Sequence, residues 1–197
     1  MKQIKIKLTF TEEILGTAAS DPKIHSEFIA SKAPDAKTLE EEVAAIGAEE
    51  VEMKSKTIFP KENGKPFLYD YQVKGFFKGA CSALMRVPGT LSNKVKAYKK
   101  VIDGTIFVFP RKILFSFNGE IGECQRPLRG QTAQGERIAL ANSETVPSES
   151  NIEFEIRMLD EKHEDLVREW LDYGQLSGIG QWRNSGKGRF KWEEIKE

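Results

Sequence analysis

Four glycines within eleven residues, Gly178, Gly180, Gly186 and Gly188, constrain this 197-residue chain more than any other feature. They lie between a helical pattern and a strand pattern. Glycine admits positive φ and the close approach of a second backbone. Successive N–H groups exposed in such a loop form a concavity for anions. Arg183, Lys187 and Arg189 add positive charge to the same stretch, and Trp182 offers a ring that can stack on a base. On composition alone two readings stand side by side: an anion cradle, or a tight connection whose cations are solvated. The loop is not a Walker A element, which requires G-x-x-x-x-G-K-[ST] entering a helix. Here the Gly180–Gly186 interval is one residue too long, Lys187 is followed by glycine, and a strand follows.

The rest of the chain supplies alternating and helical patterns around that loop. Ile4, Ile6, Leu8 and Phe10 alternate with Lys5, Lys7 and Thr9, which predicts a half-buried strand. Asp21-Pro22 opens a short helix, and Thr38 caps another over Leu39–Ile46, with Glu41 as its capping-box partner. Val51–Phe59 alternates weakly, and Glu62-Asn63-Gly64-Lys65 signals a turn. Val73, Phe76, Phe77, Ala80 and Leu84 form a helical stripe, and the four-residue spacing of Gly75 and Gly79 permits another backbone to approach that helix. Ser92–Val101 reads as a second, strongly basic helix. Period two then takes over in Thr105–Phe109, Lys112–Phe117, Gly122–Leu128, Glu136–Val146 and Asn151–Leu159. Asp160 caps a helix with Leu166, Val167, Trp170 and Leu171 on one face, and Arg189–Ile195 forms the last strand. The expectation is an α+β domain spanning 1–197 with a split β-α-β arrangement, into which residues 105–146 are inserted as a β-rich element or thumb.

Charge is balanced overall but unevenly distributed. Lys and Arg number 30, as do Asp and Glu. Residues 71–142 hold twelve Lys and Arg against four Asp and Glu, whereas residues 143–172 hold three against ten. Such a chain either displays a basic face suited to a polyanion or mixes its charges in three dimensions. No apolar run reaches the ~20 residues that span a bilayer. Cys81 and Cys124 have no CxxC partner, so the expectation is two reduced thiols in a cytoplasmic protein, with no disulfide framework and no zinc knuckle.

Three segments, in order, carry a family resemblance. Leu176-Ser177-Gly178-Ile179-Gly180 through Ser185-Gly186-Lys187-Gly188-Arg189-Phe190 is similar to the G-h-G-x-x-x-x-x-G-x-G loop of the RAMP superfamily of CRISPR-associated proteins. Gln72 through Leu84 resembles that family's S-h-K-G-x-h-R-x-x-h helix, with Lys78 where arginine is usual. Glu144-Thr145-Val146-Pro147 followed by Ile152–Ile156 resembles its VPxGxxF strand. The resemblance covers most of the chain. It implies a ferredoxin-like (RRM-like) core and single-stranded RNA, or a CRISPR ribonucleoprotein, as partner. It implies no cofactor, and it leaves self-association open. Lys74, Lys78, Arg183, Lys187 and Arg189 would meet phosphates, and Gly178, Gly180, Gly186 and Gly188 would shape the cradle. Stand-alone relatives carried by phages and prophages of anaerobic gut bacteria are implied as well, acting in a bacterial host for defence or, as an anti-CRISPR, against it.

Other chemistry is sparse. His25 and His163 lie on separate segments, neither with a partner at metal-ligand spacing. The resemblance admits a metal-independent endoribonuclease in which His25 deprotonates a ribose hydroxyl or Asp21 takes part in cleavage. The alternative is a surface histidine and a helix-capping aspartate. Arg126 and Arg129, near Arg111, Lys112 and Arg137 in sequence, suggest a basic hairpin that either touches phosphate or protects a strand edge.

Overall fold

The computed structural model describes residues 1–20, 56–132 and 135–196. The helices expected at 21–29 and 39–46, together with Asp21 and His25, fall outside them. The chain is α+β and divides into two compact units. One comprises Met1–Ile14, Pro60–Glu120 and Val146–Glu197; the other comprises Leu15–Phe59 and Ile121–Thr145. Among the described residues no helix is long and apolar enough to cross a membrane.

The first unit is a sheet covered on one face by helices. Strand β1 (Lys2–Phe10) pairs antiparallel with β11 (Asn151–Met158) on one side and with β12 (Phe190–Glu194) on the other. The register sets Phe10 opposite Phe190 and Leu8 opposite Trp192. Strand β11 also pairs with β7 (Ile106–Phe109) and β8 (Lys112–Ser116), and β8 pairs with β6 (Lys65–Tyr69). Both β7 and β8, within the stretch expected to be an insertion, are therefore strands of this sheet. Strand β5 (Lys61–Glu62) closes a hairpin with β6. Its turn residues, Asn63 and Gly64, both have positive φ, as a tight two-residue hairpin demands.

Alternation decides which face is buried. Ile4, Ile6, Leu8 and Phe10 from β1 and Ile152, Phe154, Ile156 and Met158 from β11 are buried, while Lys5, Lys7, Glu153 and Glu155 point away. Helix α1 (Asp70–Leu84) lays Val73, Phe76, Phe77, Ala80 and Cys81 onto this core. Leu84, expected in the stripe, is only half-buried. Helix α3 (Glu164–Ser177) adds Val167, Trp170, Leu171 and Gly174. Phe77 packs on Trp170 and Phe76 meets Phe190 edge-on, so one aromatic cluster joins both helices to β12. Arg168 of α3 bridges Glu164 and Glu194, and this hydrogen bonding holds the Glu164 carboxyl below the usual range.

Two expected helix boundaries are corrected. The basic helix over Ser92–Val101 does not form as one piece. Residues Ser92–Lys94 make a single 3₁₀ turn, and α2 runs from Tyr98 to Thr105. Between them Val95 is extended and Ala97 is left-handed, at φ 51°, which interrupts a continuous helix. Asp160 caps not α3 itself but the 3₁₀ turn Glu161–His163 ahead of it, by accepting a hydrogen bond from Lys162 N.

The second unit holds a long antiparallel hairpin, β9 (Gly122–Thr132) with β10 (Gly135–Val146). Strand β10 also pairs with β4 (Thr57–Ile58), which pairs with β3 (Ala18–Ala19). Thr57 Oγ1 and Ser143 Oγ share a 2.7 Å hydrogen bond, and Glu144 accepts one from Phe59 N at 3.0 Å.

Candidate nucleic-acid interface

The glycine-rich loop closes on itself. Gly178 ends α3, its N–H bonded to Gly174 O at 2.8 Å. The chain then travels outward and returns, crossing its own path at the base. Ile179 N donates to Gly188 O at 2.9 Å, and Gly188 N donates to Glu13 O at 2.9 Å. The crossing leaves no room for side chains. A Cβ on Gly178 would stand 2.5 Å from Lys187 O, and one on Gly188 would collide with the carbonyl of Ile179. Both residues also have positive φ, 74° and 70°. Ile179 is buried beneath the crossing, so the loop is anchored to the core.

At the tip, Trp182 adopts a left-handed conformation at φ 54° and starts the 3₁₀ turn Arg183–Ser185, which Gly186 ends at φ 88°. Trp182 is 40% exposed. The Arg183 guanidinium extends over α1: a Cβ on Gly79 would lie 3.5 Å from its Nη1. Nothing stands within 4 Å of a Cβ on Gly75. Among the described residues, no backbone fills the approach that the Gly75–Gly79 spacing permits, and Arg183 borders it at Gly79.

The remaining expected phosphate ligands have other partners. Lys187 is bridged to Glu13, which also accepts the Gly188 N–H through its backbone. Arg189 Nε donates to Leu176 O at 2.8 Å, satisfying a carbonyl in the last turn of α3. Lys74 donates to Asp103 O at 3.2 Å and lies over the Phe107 ring, and Lys78 pairs with the Asp103 carboxylate at 2.6 Å. Of the expected set, the structure brings together Trp182, Arg183 and α1, and ties Lys187 and Arg189 into the loop base. Arg126 is not displayed to solvent: the residue is 9% exposed. The side chain of Arg129 is outside the described set.

Aromatic groups that sequence patterning overlooked lie on β7 and at the start of α1. Phe107 and Phe109 on β7 are exposed, with Lys74 over the first ring and Arg157 4.5 Å from the centroid of the second. Tyr69 and Tyr71 stack at 5.1 Å, with Arg111 against both rings. Burial, then the neighbouring Tyr69, pushes the Tyr71 phenol up, against the opposing pull of Arg111. Phe109, Pro110, Lys5 and Glu155 help line a groove of about 410 Å³. The cations here are themselves matched by acids, Arg157 by Glu155 and Arg111 by Asp70. Strict alternation in 106–109 was the available signal, since it puts both phenylalanines opposite Ile106 and Val108. Among the described residues no three His, Cys, Asp or Glu side chains are placed to hold a metal ion.

No protein-family model matches this chain, and no curated protein matches it. Solved structures do. A chain from the cryo-EM structure of the Type III-B Cmr-beta bound to cognate target RNA superposes with a TM-score of 0.54 at 10% identity, over 98% of this chain and 60% of that one. A chain of a Type IV-B CRISPR Complex gives a TM-score of 0.46 at 10% identity, over 98% of this chain and 90% of that one. The first likeness shows a shared α+β fold. This chain spans about 60% of the length of that neighbour.

Proposed function

We propose that this protein binds single-stranded RNA without cutting it, in the manner of a CRISPR effector backbone subunit, through the glycine-rich loop and the open face of α1. The observation that carries the reading is the placement of Arg183: a loop pinned at its base lays a guanidinium over Gly79, on a helix face that no other segment among the described residues covers at Gly75. Guanidinium is suited to phosphate because its planar fork donates two parallel hydrogen bonds. Trp182, exposed beside it, is suited to a base.

Topology supports the family reading. The order β12-β1-β11-β7, with α1 between β1 and β7 and α3 between β11 and β12, is the order of a ferredoxin-like unit. The fold shared with a chain of an RNA-bound CRISPR structure points the same way. We assign the β9–β10 hairpin the role of a thumb. An anti-CRISPR role would use the acidic segment 149–172 to mimic nucleic acid or to dock on a basic protein surface. Much of that segment has internal partners: Glu155 with Arg157, Glu164 with Lys2 and Arg168, Glu169 with the backbone at Leu91 and Ser92, and Asp172 with the Trp192 indole. RNA binding is therefore the reading adopted.

Fluorescence anisotropy with labelled single-stranded RNA across a salt series tests it. Arg183→Ala is expected to make the log–log salt slope shallower by about 0.7, one phosphate contact. Trp182→Ala is expected to cost about 1–3 kcal/mol with the slope nearly unchanged. The RNA should remain intact in EDTA. Absence of wild-type binding at low salt rejects the proposal, and specific cleavage abolished by His25→Ala replaces it with the nuclease.

A further inference from the structure

The loop and the Gly75–Gly79 face leave unused the most one-sided charge in the chain. Residues 71–102 contain seven Lys and Arg and no Asp or Glu. Two of these, Lys74 and Lys78, are drawn to Asp103. The other five, Arg86, Lys94, Lys96, Lys99 and Lys100, are exposed, and none forms an ion pair among the described residues. Elsewhere in the same unit carboxylates answer Lys2, Lys7, Arg111, Lys112, Arg157 and Arg168.

The five cations are presented from a fixed backbone. Glu169 of α3 accepts hydrogen bonds from Leu91 N at 2.6 Å, Ser92 N at 3.0 Å and Ser92 Oγ at 2.6 Å. Trp170 Nε1 donates to the same hydroxyl at 2.9 Å, and Asn93 Nδ2 donates to Met85 O at 2.6 Å. Glu169 thus holds the backbone of this segment through Leu91 and Ser92.

Stability does not explain the arrangement. Five like charges within the fifteen residues 86–100 repel one another. Lys99 and Lys100 occupy the first turn of α2, where the helix dipole favours acids, and that turn has none. A bound polyanion would reverse both penalties. The position fits as well. Arg86 lies in the turn just past the C-terminal end of α1, seven residues beyond Gly79.

We propose that Arg86, Lys94, Lys96, Lys99 and Lys100 form a track for the phosphate backbone of single-stranded RNA, continuing the path that begins at Arg183. The inference rests on the RNA-binding reading above and assigns it residues that the family motifs do not cover. Four of the five are lysines, point charges without a planar fork, so the track reads charge and not base sequence.

The test uses the full chain and a quadruple variant, Lys94→Ala, Lys96→Ala, Lys99→Ala and Lys100→Ala, against labelled oligouridine and oligoadenine in a salt series. A quadruple Lys→Gln variant, which keeps the aliphatic stems, is measured beside it, with circular dichroism on both. The expected result is native circular dichroism, a salt slope shallower by about 2 to 3 at roughly 0.7 per contact, and an equal loss for both oligomers. A wild-type slope in both quadruple variants, with Arg183→Ala still weakened, overturns the track and leaves the loop interface standing. No RNA binding by the wild type overturns both. Wild-type binding to polyglutamate but not to RNA, lost in the quadruple variants, assigns the strip to an acidic protein and overturns the inference.

Discussion

The glycine-rich loop and the strip 86–100 are both cationic, and the fold treats their charges in opposite ways. In the loop, Lys187 is bridged to Glu13 and Arg189 closes the last turn of α3, so two of three cations serve the architecture. In the strip all five side chains are exposed, with no ion pair among the described residues. The comparison teaches that a cation near a recognisable motif is not thereby a ligand. What matters is whether an acid or carbonyl already occupies it, and that differs between two segments of similar composition.

The largest effect expected of breaking this contrast is at the loop base. Gly188→Val places a side chain against the Ile179 carbonyl at positive φ and should destabilise the protein by about 4 kcal/mol, measured by urea denaturation. A variant as stable as wild type would mean that the crossing is not tight. Gly75→Ala should do the reverse. Its site is open and helical, so alanine should stabilise by about 0.5–1 kcal/mol. If the open face of α1 receives RNA, the same methyl weakens binding, and a melting curve paired with an anisotropy titration reads both signs.

Smaller effects separate the two cationic regions. Lys187→Ala should cost about 0.5–1 kcal/mol, and a double-mutant cycle with Glu13→Gln should assign that cost to the pair. The salt slope of RNA binding should barely move, because the ammonium is already neutralised. Lys99→Glu should raise stability by about 0.3–1 kcal/mol, since an acid in the first turn of α2 suits the helix dipole. It should also weaken RNA binding. Opposite signs on stability for Lys187→Ala and Lys99→Glu would confirm that one cation is architectural and the other exposed for a partner. Equal signs would erase the distinction.

What the sequence determined by itself was local. Alternation in Ile4–Phe10 and in Asn151–Leu159 located strands and their buried faces, because a period of two depends only on neighbouring residues. The stripe Val73–Ala80 located α1 for the same reason at helical spacing, and the density of glycines marked a place where side chains do not fit. Local patterning failed at Ser92–Val101, where the helical spacing of the lysines hid the left-handed residue at Ala97. It could not foresee that Lys187 meets Glu13, 174 positions away, or that Lys78 and Lys74 converge on Asp103. Those partners are chosen by the pairing of β1 with β12 and by the packing of α1 beside α2, which bring distant charges within a few ångströms. Coulomb attraction falls with distance in space and takes no account of distance along the chain. The presence of charge was therefore legible in the sequence, but which charges remain exposed for a partner was decided only by the tertiary structure.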